Sequence, residues 1–230
     1  MLRHTALFLH RDTVTPGQQI DMLKGLAYMR FECAGVQALD YGNDLFGGSA
    51  SLREVGPWAR GPRFEEPQAG PPCNYDTALH LDFVDQAGLD AYTNDEIHLQ
   101  VAAFNAGVSR AELTARVDWW YEGPPLIRRG GIRHTAMFVW TDDASDVARR
   151  RAFDAARHLE NADAVESVTI GENVGTMTTD FDWILDVQLA DPGAAGLLLG
   201  SEVYREAMLA IAPATRFERT ARNSHAMRGL

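Results

Sequence analysis

Residues 2–8, Leu-Arg-His-Thr-Ala-Leu-Phe, return at 132–138 as Ile-Arg-His-Thr-Ala-Met-Phe, with five of seven positions identical and both changes apolar. Two further segments recur in the same order. Val36 to Leu45 lines up with Val165 to Val174 at an offset of 129, which sets Gly42 over Gly171. Asn74-Tyr75-Asp76 matches Asp180-Phe181-Asp182 at an offset of 106, so the first copy carries 23 extra residues before this segment. Three colinear matches make duplication the better reading than chance, and a duplicated chain must place two like units against each other.

Each copy predicts the same order of elements. Residues 2–10 are rich in β-formers and read as a strand. Thr15-Pro16-Gly17 opens a helix, with Thr15 as N-cap and Pro16 at the first helical position, and Ile20, Leu23, Leu26 and Ala27 follow helical spacing beside Met22. Strands are expected at about 35–41 and 75–84, the latter with Tyr75, Thr77, Leu79, Leu81 and Phe83 on one face. Helices through Leu89 and Tyr92, and through Ile97, Val101 and Phe104, lead to a strand near 112–119. The second copy reads as strand 132–140, helix 145–159, strands 164–171 and 180–189, helix 201–211 and strand 214–221. The order is βαββαβ, the ferredoxin-like split arrangement.

Such a unit leaves one sheet face bare, and about 110 residues make a marginal core alone. The expected solution is an α+β fold in which the two repeats pack face to face as an intramolecular dimeric α+β barrel. The units span 1–121 and 132–230, with a Pro/Gly-rich linker at 122–131 and an insert at about 46–72 anchored by Trp58 and Phe64. Loops of that length tend to be lids or surface excursions.

Composition excludes several classes. With 21 Lys and Arg against 32 Asp and Glu, the net charge of −11 disfavours nucleic acid and anionic membrane as partners. No run approaches the ~18 apolar residues of a spanning helix, and the first ten residues lack signal-peptide character. Cys33 and Cys73 have no metal-type spacing and read as reduced thiols, so a cytoplasmic location is expected.

The opening strands Arg3-His4-Thr5-Ala6 and Arg133-His134-Thr135-Ala136, the aromatic-rich third strand and the segment Tyr92-Thr93-Asn94-Asp95-Glu96-Ile97-His98 resemble the stress-responsive dimeric A/B barrel family, as two fused units. Where members often carry His-Pro-x-His, Asp95 and Glu96 replace the first two residues and His98 remains. The family includes proteins of no assigned activity and a few enzymes, among them olivetolic acid cyclase and a fern hydroxynitrile lyase. The cyclase-like spacing of Tyr92 and His98, six residues apart, implies a catalytic set of His98, Tyr92 and His4. On that resemblance His98 is the general acid/base, Tyr92 the donor to a carbonyl oxygen and His4 the substrate orienter. Leu79, Leu81, Phe83, Phe8 and Leu26 are the expected apolar substrate-binding wall, Leu26 standing where the cyclase has a further Tyr.

The chemistry suits such a set. A neutral-range imidazole takes a proton from carbon or oxygen, and a phenol stabilises the developing oxyanion. The expectation is a cofactor-independent lyase, cyclase or isomerase acting on a small carbonyl compound. The alternative is a non-enzymatic stress-related barrel that binds a small apolar ligand. The second copy has Leu198 and Tyr204 at the Tyr92 and His98 positions, so one such site per chain is expected. No metal or other cofactor is expected, His158 on the second copy's helix being the residue a haem would take. A small-molecule ligand and a homo-oligomer of the fused barrel are the expected partners. His80 and its counterpart Asp186 are assigned to the barrel interior as solvated side chains, with a cross-barrel hydrogen bond as the other option.

Overall fold

The computed structural model describes residues 1–46, 74–123, 125, 128–175 and 181–230. Trp58, Phe64 and Cys73, and with them nearly all of the expected insert, lie outside the described residues. The first unit runs β1 (Leu2–Phe8), α1 (Pro16–Glu32), β2 (Ala38–Asn43), β3 (Thr77–Phe83), α2 (Gln86–Thr93), α3 (Glu96–Val108) and β4 (Ala115–Trp120). The second runs β5 (Ile132–Phe138), α4 (Asp146–Arg157), β6 (Val165–Glu172), β7 (Trp183–Leu189), α5 (Pro192–Leu199), α6 (Glu202–Ile211) and β8 (Ala221–Ala226). The sheets are antiparallel with orders β2-β3-β1-β4 and β6-β7-β5-β8, the same topology twice.

Local sequence explains the elements. At the start of α1 the Thr15 side chain accepts from the Gln18 N–H while the Gln18 side chain accepts from the Thr15 N–H, satisfying two otherwise open donors. Met22, Leu26 and Met29 form the buried face of α1, whereas Ile20 is exposed. Helix α5 is missing from the sequence reading because Gly193, Gly196 and a continuous Leu197-Leu198-Leu199 run blur the helical period. The last strand also needs correction. It begins at Ala221 rather than near 214, because Ala212–Ala214 and Phe217–Arg219 form short 3-10 turns first. Tyr75 leaves the face of Leu79, since β3 starts only at Thr77, and it packs into the barrel interior with its hydroxyl donating to the Leu113 carbonyl.

The sheets close into a barrel through two equivalent seams. Leu45 N–H donates to the Ser224 carbonyl and Asp44 Oδ1 accepts from the Ser224 N–H; likewise Val174 N–H donates to the Asp118 carbonyl and Asn173 Oδ1 accepts from the Asp118 N–H. Glycine is required at the centre of each seam. A Cβ on Gly42 would stand 2.9 Å from the Cβ of His225, and one on Gly171 would fall inside the Trp119 indole. Those four residues are two repeat-related pairs, so each unit's second strand yields space to the other unit's last strand.

His80 and Asp186 are buried rather than solvated. His80 lies within reach of Thr5 Oγ1 (3.2 Å) and Thr135 Oγ1 (3.5 Å) and stacks on His225, and Asp186 instead takes the arginines. Arg3 donates to both oxygens of Asp82, at 2.6 and 3.1 Å, and to Asp186 at 3.1 Å. Arg133 stands 3.4 Å from Asp186 and 3.7 Å from Asp40, which also meets His225 at 3.1 Å. Composition conceals this because a charged side chain is ordinarily solvated. Here the repeat brings arginines from both first strands to one point, Arg3 hydrogen-bonded to its carboxylates and Arg133 within ion-pair distance of two.

Candidate active site

Odd-numbered residues of β1 face the barrel interior, so His4, Ala6 and Phe8 face the helices. On the neighbouring β4 the residues opposite His4 and Ala6 are Asp118 and Arg116. Above them α3 brings His98, Val101, Ala102, Asn105 and Ala106 onto one face at helical spacing. Between floor and helix lies a cavity of about 90 Å³, partly open to solvent, which His4, Tyr92 and His98 line together.

His4 Nδ1 stands 2.6 Å from Asp118 Oδ1. A carboxylate only accepts, so Nδ1 carries the proton and Nε2 is the ring's basic nitrogen. Asp118 is the residue sequence reasoning missed. The signal available was its register, directly opposite His4 on an adjacent strand, and that pairing is invisible until β4 is placed. The Tyr92 ring lies 6.1 Å from His4 and 4.1 Å from His98, centroid to centroid. Its hydroxyl donates to Met29 Sδ at 3.7 Å, a weak acceptor, and burial pushes the phenol above its ordinary range, so it remains a protonated donor. His98 Nδ1 donates to the Thr93 carbonyl at 3.3 Å, and burial lowers the pKa of the ring, which favours a neutral imidazole with Nε2 as acceptor.

Of the expected apolar wall, Leu79 and Phe8 line the space. Leu81, Phe83 and Leu26 do not. They are fully buried in the core between sheet and helices, where they support the site from behind. Phe104 is exposed on the far side of α3.

The second unit fills the same place. His134 Nδ1 meets Ser224 Oγ at 2.8 Å and Nε2 meets the Tyr204 hydroxyl at 3.0 Å, so both ring nitrogens are engaged. Burial, reinforced by the charge of Arg222, drives the His134 pKa down to about 3. Where the first unit has Ala102, Asn105 and Ala111, the second has Met208, Ile211 and Phe217, all buried. The difference in volume is what opens one unit and closes the other.

Among the described residues no group of three His, Cys, Asp or Glu is placed to hold a metal ion. His158 sits exposed in a short 3-10 turn beside Asn161. Cys33 is free and buried, and burial raises its thiol pKa to about 11. No described helix is long and apolar enough to cross a membrane.

The chain matches no protein-family model and no curated protein. It is similar in structure to an anthrone oxidase-like protein, at TM-score 0.68 and 11% identity over 100% of this chain and 92% of that one. It is also similar to a monooxygenase candidate from Fusobacterium nucleatum, at TM-score 0.53 and 11% identity over 98% of this chain and 91% of that one. A dimeric ferredoxin-like protein from Thermobifida fusca aligns with 46% of this chain and 99% of its own, at 20% identity and TM-score 0.39. At these identities the likeness is one of fold.

Proposed function

We propose that the first unit is a cofactor-independent acid–base site for a small carbonyl compound, on a stress-responsive A/B barrel scaffold with units at 1–121 and 132–230 joined by 122–131. The observation that carries this reading is the His4–Asp118 pair facing the same cavity as Tyr92 and His98. A histidine held through Nδ1 by a carboxylate is fixed in one tautomer, and its imidazolium is stabilised once formed. His4 is therefore the base that removes a proton from carbon or oxygen. Tyr92 donates to the oxyanion that develops on the carbonyl oxygen. His98, packed on the Tyr92 ring, offers Nε2 for the second proton transfer. Enolisation, aldol-type ring closure and cyanohydrin cleavage all need this set and no more.

Wild type, His4→Ala and His98→Ala, assayed on a panel of cyclisable polyketones and aromatic cyanohydrins, test the proposal. Turnover abolished by either substitution supports it; turnover indifferent to both overturns it. The second reading, a non-enzymatic carrier of an apolar ligand, draws on the contact of the Tyr92 hydroxyl with Met29 rather than with a polar partner, and on the wall of Ala6, Phe8, Leu79 and Val101. It predicts binding without turnover.

A further inference from the structure

The cavity has two polar ends. Asn105 follows His98 by seven residues on the same face of α3, about 10 Å along the helix axis. Ala102 and Val101 lie between them on the helix side, with Arg116 lining the strand side. Asn105 is only 4% exposed, yet its Oδ1 is sealed from solvent with no hydrogen-bond partner among the described residues. Its backbone carbonyl is fully used, accepting from both the N–H and the hydroxyl of Ser109, so the side chain is not serving the helix end. The fold does not demand a polar residue here either. The equivalent position in the second unit is Ile211, fully buried against Phe217 and its neighbours in a filled space.

A buried amide without a partner is costly, and it is tolerated where a ligand completes it. We propose that Asn105 is the specificity-determining residue of the first-unit cavity, receiving a hydroxyl group of the substrate at the end away from His98. A hydroxyl donates and accepts at once, so it answers the oxygen and the N–H of a carboxamide in either orientation. The substrate class is thus an elongated carbonyl compound with its reacting carbonyl at the His4 end and a hydroxyl at the far end. The assignment rests on the reading of this cavity as the ligand site.

The test uses two probes, a methyl naphthyl ketone and the same ketone with a phenolic hydroxyl on the distal ring. Calorimetric titration of the full chain is expected to give about tenfold tighter binding of the hydroxylated ketone, the worth of one well-placed hydrogen bond to a buried group. In Asn105→Leu, close to Asn in size, the preference disappears while the parent ketone still binds. Asn105→Ala, which keeps a good helix former, gives the same result should the larger side chain disturb packing. Equal binding of both ketones by wild type, a preference that persists in the variants, or binding of neither ketone overturns the assignment. Deuterium exchange at the parent ketone's methyl group reports on the acid–base reading separately. A ketone that exchanges but shows no hydroxyl preference removes Asn105 and leaves His4 in place.

Discussion

His4 Nδ1 lies 2.6 Å from the carboxylate of Asp118, while His134, its repeat partner, meets the hydroxyl of Ser224 at 2.8 Å. The two histidines share a strand position and a sequence context, and they differ in what the last strand sets opposite them. A carboxylate stabilises an imidazolium and a hydroxyl does not, which is why the proposed function puts the base at the first histidine. Asp118→Asn is expected to slow proton abstraction from a ketone substrate by on the order of 10²-fold or more, the usual scale of general-base catalysis. Asp118→Ser, which copies the second unit, is expected to do the same with the fold intact by circular dichroism.

Acidification should destabilise the chain well above the carboxylate range. His80 and His134 are buried, and burial lowers both pKa values, that of His134 to about 3. In the unfolded chain each titrates near 6.5. Between pH 6.5 and about 4 the unfolded state therefore binds protons that the folded state refuses, so stability rises with pH in that window. His134 contributes up to about 1.4 kcal/mol per pH unit there, and His80 acts in the same direction. Urea melts at pH 7 and pH 5 check this, and His134→Gln should flatten the slope by about one histidine's share.

Asp40 adds a loss at lower pH. Burial alone would raise its pKa, but facing His225 and Arg133 holds its carboxyl well below the usual range, so its contribution is present above about pH 4 and lost as pH falls further.

The interior ion network predicts a large effect from a single truncation. Arg3 serves Asp82 and Asp186 together, so Arg3→Met strips a guanidinium from two buried carboxylates at once, leaving Arg133 beside Asp186 and the Tyr121 hydroxyl beside Asp82. The expected loss is about 3–5 kcal/mol by chemical denaturation, as for other buried pairs broken from one side.

The seam glycines predict graded damage. Gly42→Ala meets the His225 side chain and Gly171→Ala meets the larger Trp119 indole, so both destabilise by about 1–3 kcal/mol, with Gly171→Ala the worse. Comparison of their denaturation midpoints at constant m-value checks the order.

Much of this fold is legible in the sequence because the repeat is. Two copies of Arg-His-Thr-Ala mark the first strands, and Gly42 over Gly171 aligns the second strands, while the seams they form emerge only in the structure. The boundaries that fail do so for local reasons. The 3-10 turns before β8 lack a period to read, and α5 is too uniformly apolar and glycine-broken. Tyr92, His98 and His4 come forward because the family resemblance implies them, and the structure sets all three around one cavity. Asp118 and Asn105 carry no such signal, because one acts through strand register and the other is conspicuous only once its burial and missing partner are known.

The central claim is that the first unit, and only the first, performs acid–base chemistry on a carbonyl compound. The most direct measurement is the rate of deuterium incorporation into the methyl group of a naphthyl ketone in heavy water, for wild type, His4→Ala and His134→Gln. Acceleration over buffer that is lost in His4→Ala and kept in His134→Gln is the predicted result. No acceleration by wild type, or equal acceleration by His4→Ala, contradicts it.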